Sequence, residues 1–84
     1  MSWYIKPPAE SKRPASIKNP TIRRLYESIE RERVRQGKSM SDLDGGVWNI
    51  ALRHPETIQM RTIANVIDAL DMDVILINRE GDQV

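Results

Sequence analysis

The chain has 84 residues, 39% hydrophobic and 30% charged, with a net charge of +1, five prolines, four glycines and no cysteine. That length holds one small domain with a marginal core, which a partner subunit would help to complete. The absence of cysteine excludes disulfides, thiolate zinc sites and a Cys–His catalytic pair, and a single histidine, His54, excludes a His-rich metal site. There is no P-loop and no Gly-rich dinucleotide turn. The longest aliphatic run, Val74-Ile75-Leu76-Ile77, falls far short of the roughly 20 residues that span a bilayer. The opening residues have no apolar signal-peptide core. The expectation is a cytoplasmic protein that is not an enzyme and uses no cofactor and no metal.

The charge is divided unevenly along the chain. Residues 1–40 carry +6, from ten Lys and Arg against four Glu, whereas residues 41–84 carry −5. A basic front half suits an anionic partner, of which nucleic acid is the commonest large one, although a solvated basic helix with a basic tail would look the same.

Residues 1–19 read as a basic arm, with Pro7, Pro8 and Pro14 opposing helix and Lys6, Lys12, Arg13 and Lys18 supplying charge. Trp3-Tyr4-Ile5 form an apolar cluster at its tip. Such an arm either follows phosphates or a minor groove, or remains a tail without specific contacts. Residues 20–78 read as the folded domain. Asn19 is an N-cap with Pro20 at the first helical position, and Ile22, Leu25, Tyr26 and Ile29 then recur as one stripe. Arg23, Arg24, Arg31, Arg33 and Arg35, with Glu27, Glu30 and Glu32 among them, occupy the other faces of this first helix, which stops at Gly37. Ser39 and Asp42 have cap-like spacing for a short second helix that turns Met40 and Leu43 inward, and Gly45-Gly46 ends it. A third helix begins near Val47 or Trp48 and ends before Pro55, with Val47, Trp48, Ala51 and Leu52 on the apolar side and Asn49, Arg53 and His54 on or near the other. A fourth helix repeats Met60, Ile63, Ile67 and Leu70, flanked by Ala64 and Val66, and ends near Asp71. Val74 to Asn78 is β-branched and aliphatic and reads as a C-terminal β-strand, followed by a polar tail over 79–84. The predicted class is mainly α: a small four-helix domain with a terminal strand and a basic N-terminal arm.

Gly37-Lys38-Ser39-Met40-Ser41-Asp42-Leu43, the Gly46-Val47 turn, Met60-Arg61-Thr62-Ile63 and Ile67-Asp68-Ala69-Leu70, with Asp73-Val74-Ile75-Leu76 after them, resemble the Cro/C1-type (XRE-like) helix-turn-helix DNA-binding domains. The resemblance covers about residues 20–77. It departs where only Asp44 and Gly45 separate the acid-Leu pair from the turn, shortening the second helix, where Asp71 replaces the usual Gly, and where Trp48 replaces a small polar residue.

The resemblance implies a sequence-specific transcriptional regulator, a repressor, that acts by occupying double-stranded DNA. The third helix would enter the major groove, with Asn49 suited to adenine and Arg53 to guanine. Lys38, Ser39 and Ser41 would meet phosphates at the start of the second helix, with Arg13, Lys18 and His54 adding phosphate contacts. Each has a plainer alternative: capping for Ser39, solvent-facing polarity for Asn49 and Arg53, a loop position for His54. Trp48 reads as core, with ligand stacking the other possibility. Val74, Ile75, Leu76 and Ile77 would form a homodimer interface, because a lone strand leaves backbone groups unpaired, and two-fold symmetry implies a pseudo-palindromic operator with half-sites about 34–36 Å apart. A second reading is an antitoxin- or adaptor-type protein that binds a protein partner through this fold and through Trp3-Tyr4-Ile5 on the N-terminal arm.

Overall fold

The computed structural model describes residues 8–84; residues 1–7, and with them Lys6 and the Trp3-Tyr4-Ile5 cluster, lie outside the described residues. The first helix forms where its caps direct. Asn19 Oδ1 accepts the Thr21 and Ile22 N–H groups at 2.9 and 3.1 Å, and α1 runs Pro20–Arg35. Its end is a Schellman motif. Gly37 takes a left-handed φ of +70°, its N–H reaches the Val34 carbonyl, and the Lys38 N–H reaches the Arg33 carbonyl.

Two further helices follow, α2 over Val47–Arg53 and α3 over Met60–Ala69, making three α-helices rather than four among the described residues. The expected second helix is two short 3-10 turns, Met40–Asp42 and Asp44–Gly46. Leu43 between them is extended (φ −102°, ψ 95°), and Asp44, Gly45 and Gly46 all have positive φ. The seven residues between Gly37 and Gly45 are too few to repay helix nucleation once these positions leave helical geometry. The inward side chains are nevertheless as expected: Leu43 is fully buried and Met40 packs against the core.

α3 also ends in a Schellman pattern, with the Asp71 N–H on the Asp68 carbonyl and the Met72 N–H on the Ile67 carbonyl. Here the left-handed residue is Asp71, at φ +55°. The buried stripe of α3 is Ile63, Val66, Ile67 and, just past its end, Leu70; Met60, expected to lead that stripe, is largely exposed.

The C-terminal β-strand is absent. Among the described residues there is no strand, only an isolated antiparallel bridge between Ile77 and Gln83. Asn78 Oδ1 accepts the Glu80 and Asp82 N–H groups and turns the chain back, so only the last few residues pair with the extended segment. Val74, Ile75, Leu76 and Ile77 are 58, 63, 69 and 65% exposed.

Residues 11–17 also differ from the expected free arm. A single 3-10 turn over Arg13–Ser16 lies on α1, with Pro14 and Ile17 buried. Pro14 sits inside that turn, whose tighter hydrogen bonding tolerates a residue without an N–H near its start. The core thus collects Ile17, Tyr26, Ile29, Leu43, Trp48, Ala51, Leu52, Ile63, Val66, Ile67 and Leu70. Trp48 fills its centre, wholly buried and stacked on Tyr26 with ring centroids 4.9 Å apart. Among the described residues no helix is long and apolar enough to cross a membrane.

Candidate nucleic-acid interface

α2 is positioned from beneath by its apolar side and from the side by one buried carboxylate. Trp48, Ala51 and Leu52 face the core, which turns Asn49, Ile50 and Arg53 outward; Asn49 is half-buried, and Arg53 and the C-capping His54 are exposed. The chain enters α2 through Gly45 and Gly46 at φ +65° and +90°, a left-handed corner that a Cβ would strain. Its first residues therefore emerge sharply from the preceding turn.

The carboxylate is Glu30 of α1. Its Oε1 accepts Trp48 Nε1–H at 2.9 Å and Arg33 Nε–H at 2.7 Å; its Oε2 accepts the Ser11 N–H at 2.6 Å and Arg33 Nη2–H at 2.5 Å. Arg33 also donates from Nη1 to the Lys38 carbonyl and from Nη2 to the Ala9 carbonyl. Both side chains are buried, and no buried side-chain polar atom among the described residues lacks a partner. Burial alone would push the Glu30 carboxyl up, but the hydrogen bonds from Arg33, the Ser11 amide and Trp48, with the Arg33 charge, hold it below the ordinary carboxylate range. Sequence periodicity placed Glu30 and Arg33 on the solvent side of the helix. The structure corrects this: the N-terminal segment covers that face, and an i,i+3 acid–base pair among many such pairs gave no sign of it. Arg23 was missed in the same way; its guanidinium donates to the Ile17 and Lys18 carbonyls and ties the segment into α1.

Docking of residues 11–17 brings two expected contact residues together. Arg13, Ser16 and Ile17 from the N-terminal turn and Leu52, Arg53 and Pro55 from the end of α2 line one concavity of about 240 Å³. Both arginines are exposed, neither is in an ion pair among the described residues, and no acidic side chain lines the hollow. Lys18 is exposed next to this segment.

Lys38, Ser39 and Ser41 do not line that hollow, and each makes a hydrogen bond within the protein. Lys38 Nζ donates to the Ala69 carbonyl at 2.7 Å, where a cation meets the carbonyl end of α3. The Ser39 N–H donates to the Asp42 carboxylate at 2.7 Å, and the Ser39 and Ser41 hydroxyls bond each other at 2.9 Å. The Ser39 amide and hydroxyl, with the Lys38 charge, hold the Asp42 carboxyl below its usual range, so an anion stands among the expected phosphate contacts.

Comparison with protein-family models, with curated proteins and with solved structures gave no match.

Proposed function

We propose that this chain is a DNA-binding regulator that acts by occupying a duplex rather than by chemistry, a repressor working in the cytoplasm. The observation that carries the reading is the shared concavity of Arg13 and Arg53, two guanidinium groups unpaired among the described residues and 40 residues apart, beside the outward side of the short α2 with its Asn49 and its C-capping His54. Guanidinium groups that are not paired within the protein suit phosphate oxygens, which they meet through two parallel hydrogen bonds. Affinity would come chiefly from phosphate neutralisation and fall steeply with salt. Selectivity would rest on Arg53 and Asn49 at base edges; because Asn49 is half-buried, Arg53 carries more of it.

The docking differs from that of a helix-turn-helix with two full helices. No full second helix is there to lie across the backbone, and Lys38, Ser39 and Ser41 each make a hydrogen bond within the protein. Arg13 with Lys18 takes over the backbone contact in this reading. The test is fluorescence anisotropy of a random-sequence duplex titrated at several salt concentrations. Arg13→Ala should weaken binding and lower the salt slope by about one unit per lost phosphate contact, Arg53→Ala should weaken binding with the slope kept, since its contact is to base edges, and Lys38→Ala should leave the slope unchanged. Equal affinity of both arginine variants and the parent chain would end the proposal.

The antitoxin- or adaptor-type reading is favoured by a different observation, the exposed apolar side chains of Met60, Val74 and Leu76 around a hollow of about 530 Å³. Its anchor on the arm, Trp3-Tyr4-Ile5, falls among residues 1–7. A chain that ignores duplex DNA at low salt but loses a protein partner on Trp3→Ala would decide for it.

A further inference from the structure

We propose that this chain self-associates through its extended segment Val74–Asn78, two copies laying these segments antiparallel with a two-fold axis passing between their Leu76 residues. The proposal is independent of the DNA reading.

The first argument is the hydrogen-bonding edge. The Leu76 carbonyl accepts the Val84 N–H at 2.9 Å, and the Asn78 N–H donates to the Asp82 carbonyl at 2.8 Å. The polar groups of residues 76 and 78 therefore face the chain's own end. Those of Ile75 and Ile77 alternate to the opposite edge, where none of the four has a backbone partner among the described residues. Such an edge is a template for another extended segment.

The second argument is why that segment should be a second copy. Pairing about Leu76 sets Ile75 opposite the partner's Ile77 and repeats the pair by symmetry, so all four orphan groups on each chain are satisfied at once. The same register sets Asp73 opposite the turn that carries the partner's Arg79, twice over, so that opposite charges flank the apolar centre. It also brings together side chains that a lone chain leaves in water. Val74, Leu76 and Met60 line one apolar hollow with Leu25, Ile63 and Ile67, while Ile75 and Ile77 stand on the other face. Those five exposed side chains offer on the order of 500–600 Å² per copy, approaching the ~800 Å² per partner of a standard interface.

The test exploits the absence of cysteine from the natural sequence. Sedimentation equilibrium of the full chain should show a dimer. Across the two-fold axis the Leu76 positions form a non-hydrogen-bonded antiparallel pair about 4.5 Å apart at Cα, within disulfide reach. Leu76→Cys should therefore cross-link on mild oxidation, and Ile75→Cys or Ile77→Cys alone should not. Asp73→Lys should weaken the dimer roughly tenfold, and adding Arg79→Glu should restore it. Circular dichroism serves as the check that each variant keeps its helices. A monomer at the same concentrations, whether the hollow stays open or residues 1–7 cover it, overturns the proposal. So does a dimer that fails to cross-link at residue 76 or is indifferent to the charge swap.

Discussion

Glu30→Gln is the most informative change in this molecule, because all four hydrogen bonds at that carboxylate come from donors. The amide of Gln can offer its oxygen either to Trp48 Nε1 and Arg33 Nε, or to the Ser11 N–H and Arg33 Nη2. In each orientation its NH2 group faces two other donors, and the buried Arg33 loses its counter-charge. Breaking a buried ion pair by removing one partner costs about 3–5 kcal/mol. A domain of this length has a stability of roughly 4–13 kcal/mol, so the change removes a large part of it. At about 4–8 °C per kcal/mol for a domain of this size, the melting temperature should fall by at least about 12 °C. The assay is urea unfolding followed by circular dichroism, with the slope m held as a check on two-state behaviour. Glu32→Gln is the control: Glu32 also pairs with an arginine three residues on, but that Arg35 partner is largely exposed, and the midpoint should stay within error. A loss below about 1 kcal/mol for Glu30→Gln at unchanged m would refute the claim that this carboxylate holds the segments together. The same geometry sets the acid limb. Because folding lowers the Glu30 carboxyl below its unfolded value, its contribution is complete above about pH 4.5 and is lost as the pH falls through the folded value, so Glu30→Gln should flatten that limb.

Three further outcomes test the local readings. Asp71→Gly should stabilise the chain by roughly 0.5–1 kcal/mol in the same urea assay, since the left-handed C-terminal position of α3 suits glycine better than aspartate. Asn19→Ala should cost about 1 kcal/mol through the lost cap of α1. Burial pushes the Tyr26 phenol up to about 12, so in a Tyr4→Phe background the 295 nm absorbance should show no titration near pH 10; because this raised value favours the neutral form, stability should be lost as the pH rises from about 10 through about 12.

Where the sequence was legible, single residues carried strong local physics. Asn19-Pro20 and Gly37 bound α1 as expected because a cap and a left-handed stop act over three or four residues, and Trp48 is core because so large an apolar ring beside a turn has nowhere else to go. The second helix was misread because Ser39 and Asp42 do make their cap-like contact, but within a 3-10 turn: the contact is compatible with either geometry, and the extended Leu43 decides between them. The strand was misread because an aliphatic β-branched run specifies extended backbone, whereas a strand needs a neighbour, and Asn78 turns the chain so that only its last residues supply one. For the candidate site, residue type suggested Arg13 and Arg53 separately. Nothing in the sequence joined them, since their proximity follows from Pro14 and Ile17 entering the core and from a glutamate that looks solvent-facing on a helical wheel.

That glutamate links stability to the proposed surface. Glu30 holds the segment of Arg13 through the Ser11 amide and the helix of Arg53 through the Trp48 indole, so the two arginines are placed by one buried group that neither of them touches. A loss of duplex binding in Glu30→Gln would then be ambiguous, because the fold loosens with it. Arg13 and Arg53 are exposed and bond through their side chains to no described protein group, so removing either should leave the urea midpoint within about 0.5 kcal/mol of the parent. Affinity that falls in those variants at unchanged midpoint belongs to the surface. Affinity that falls only as the midpoint falls belongs to the core, and would leave the concavity without a role in binding.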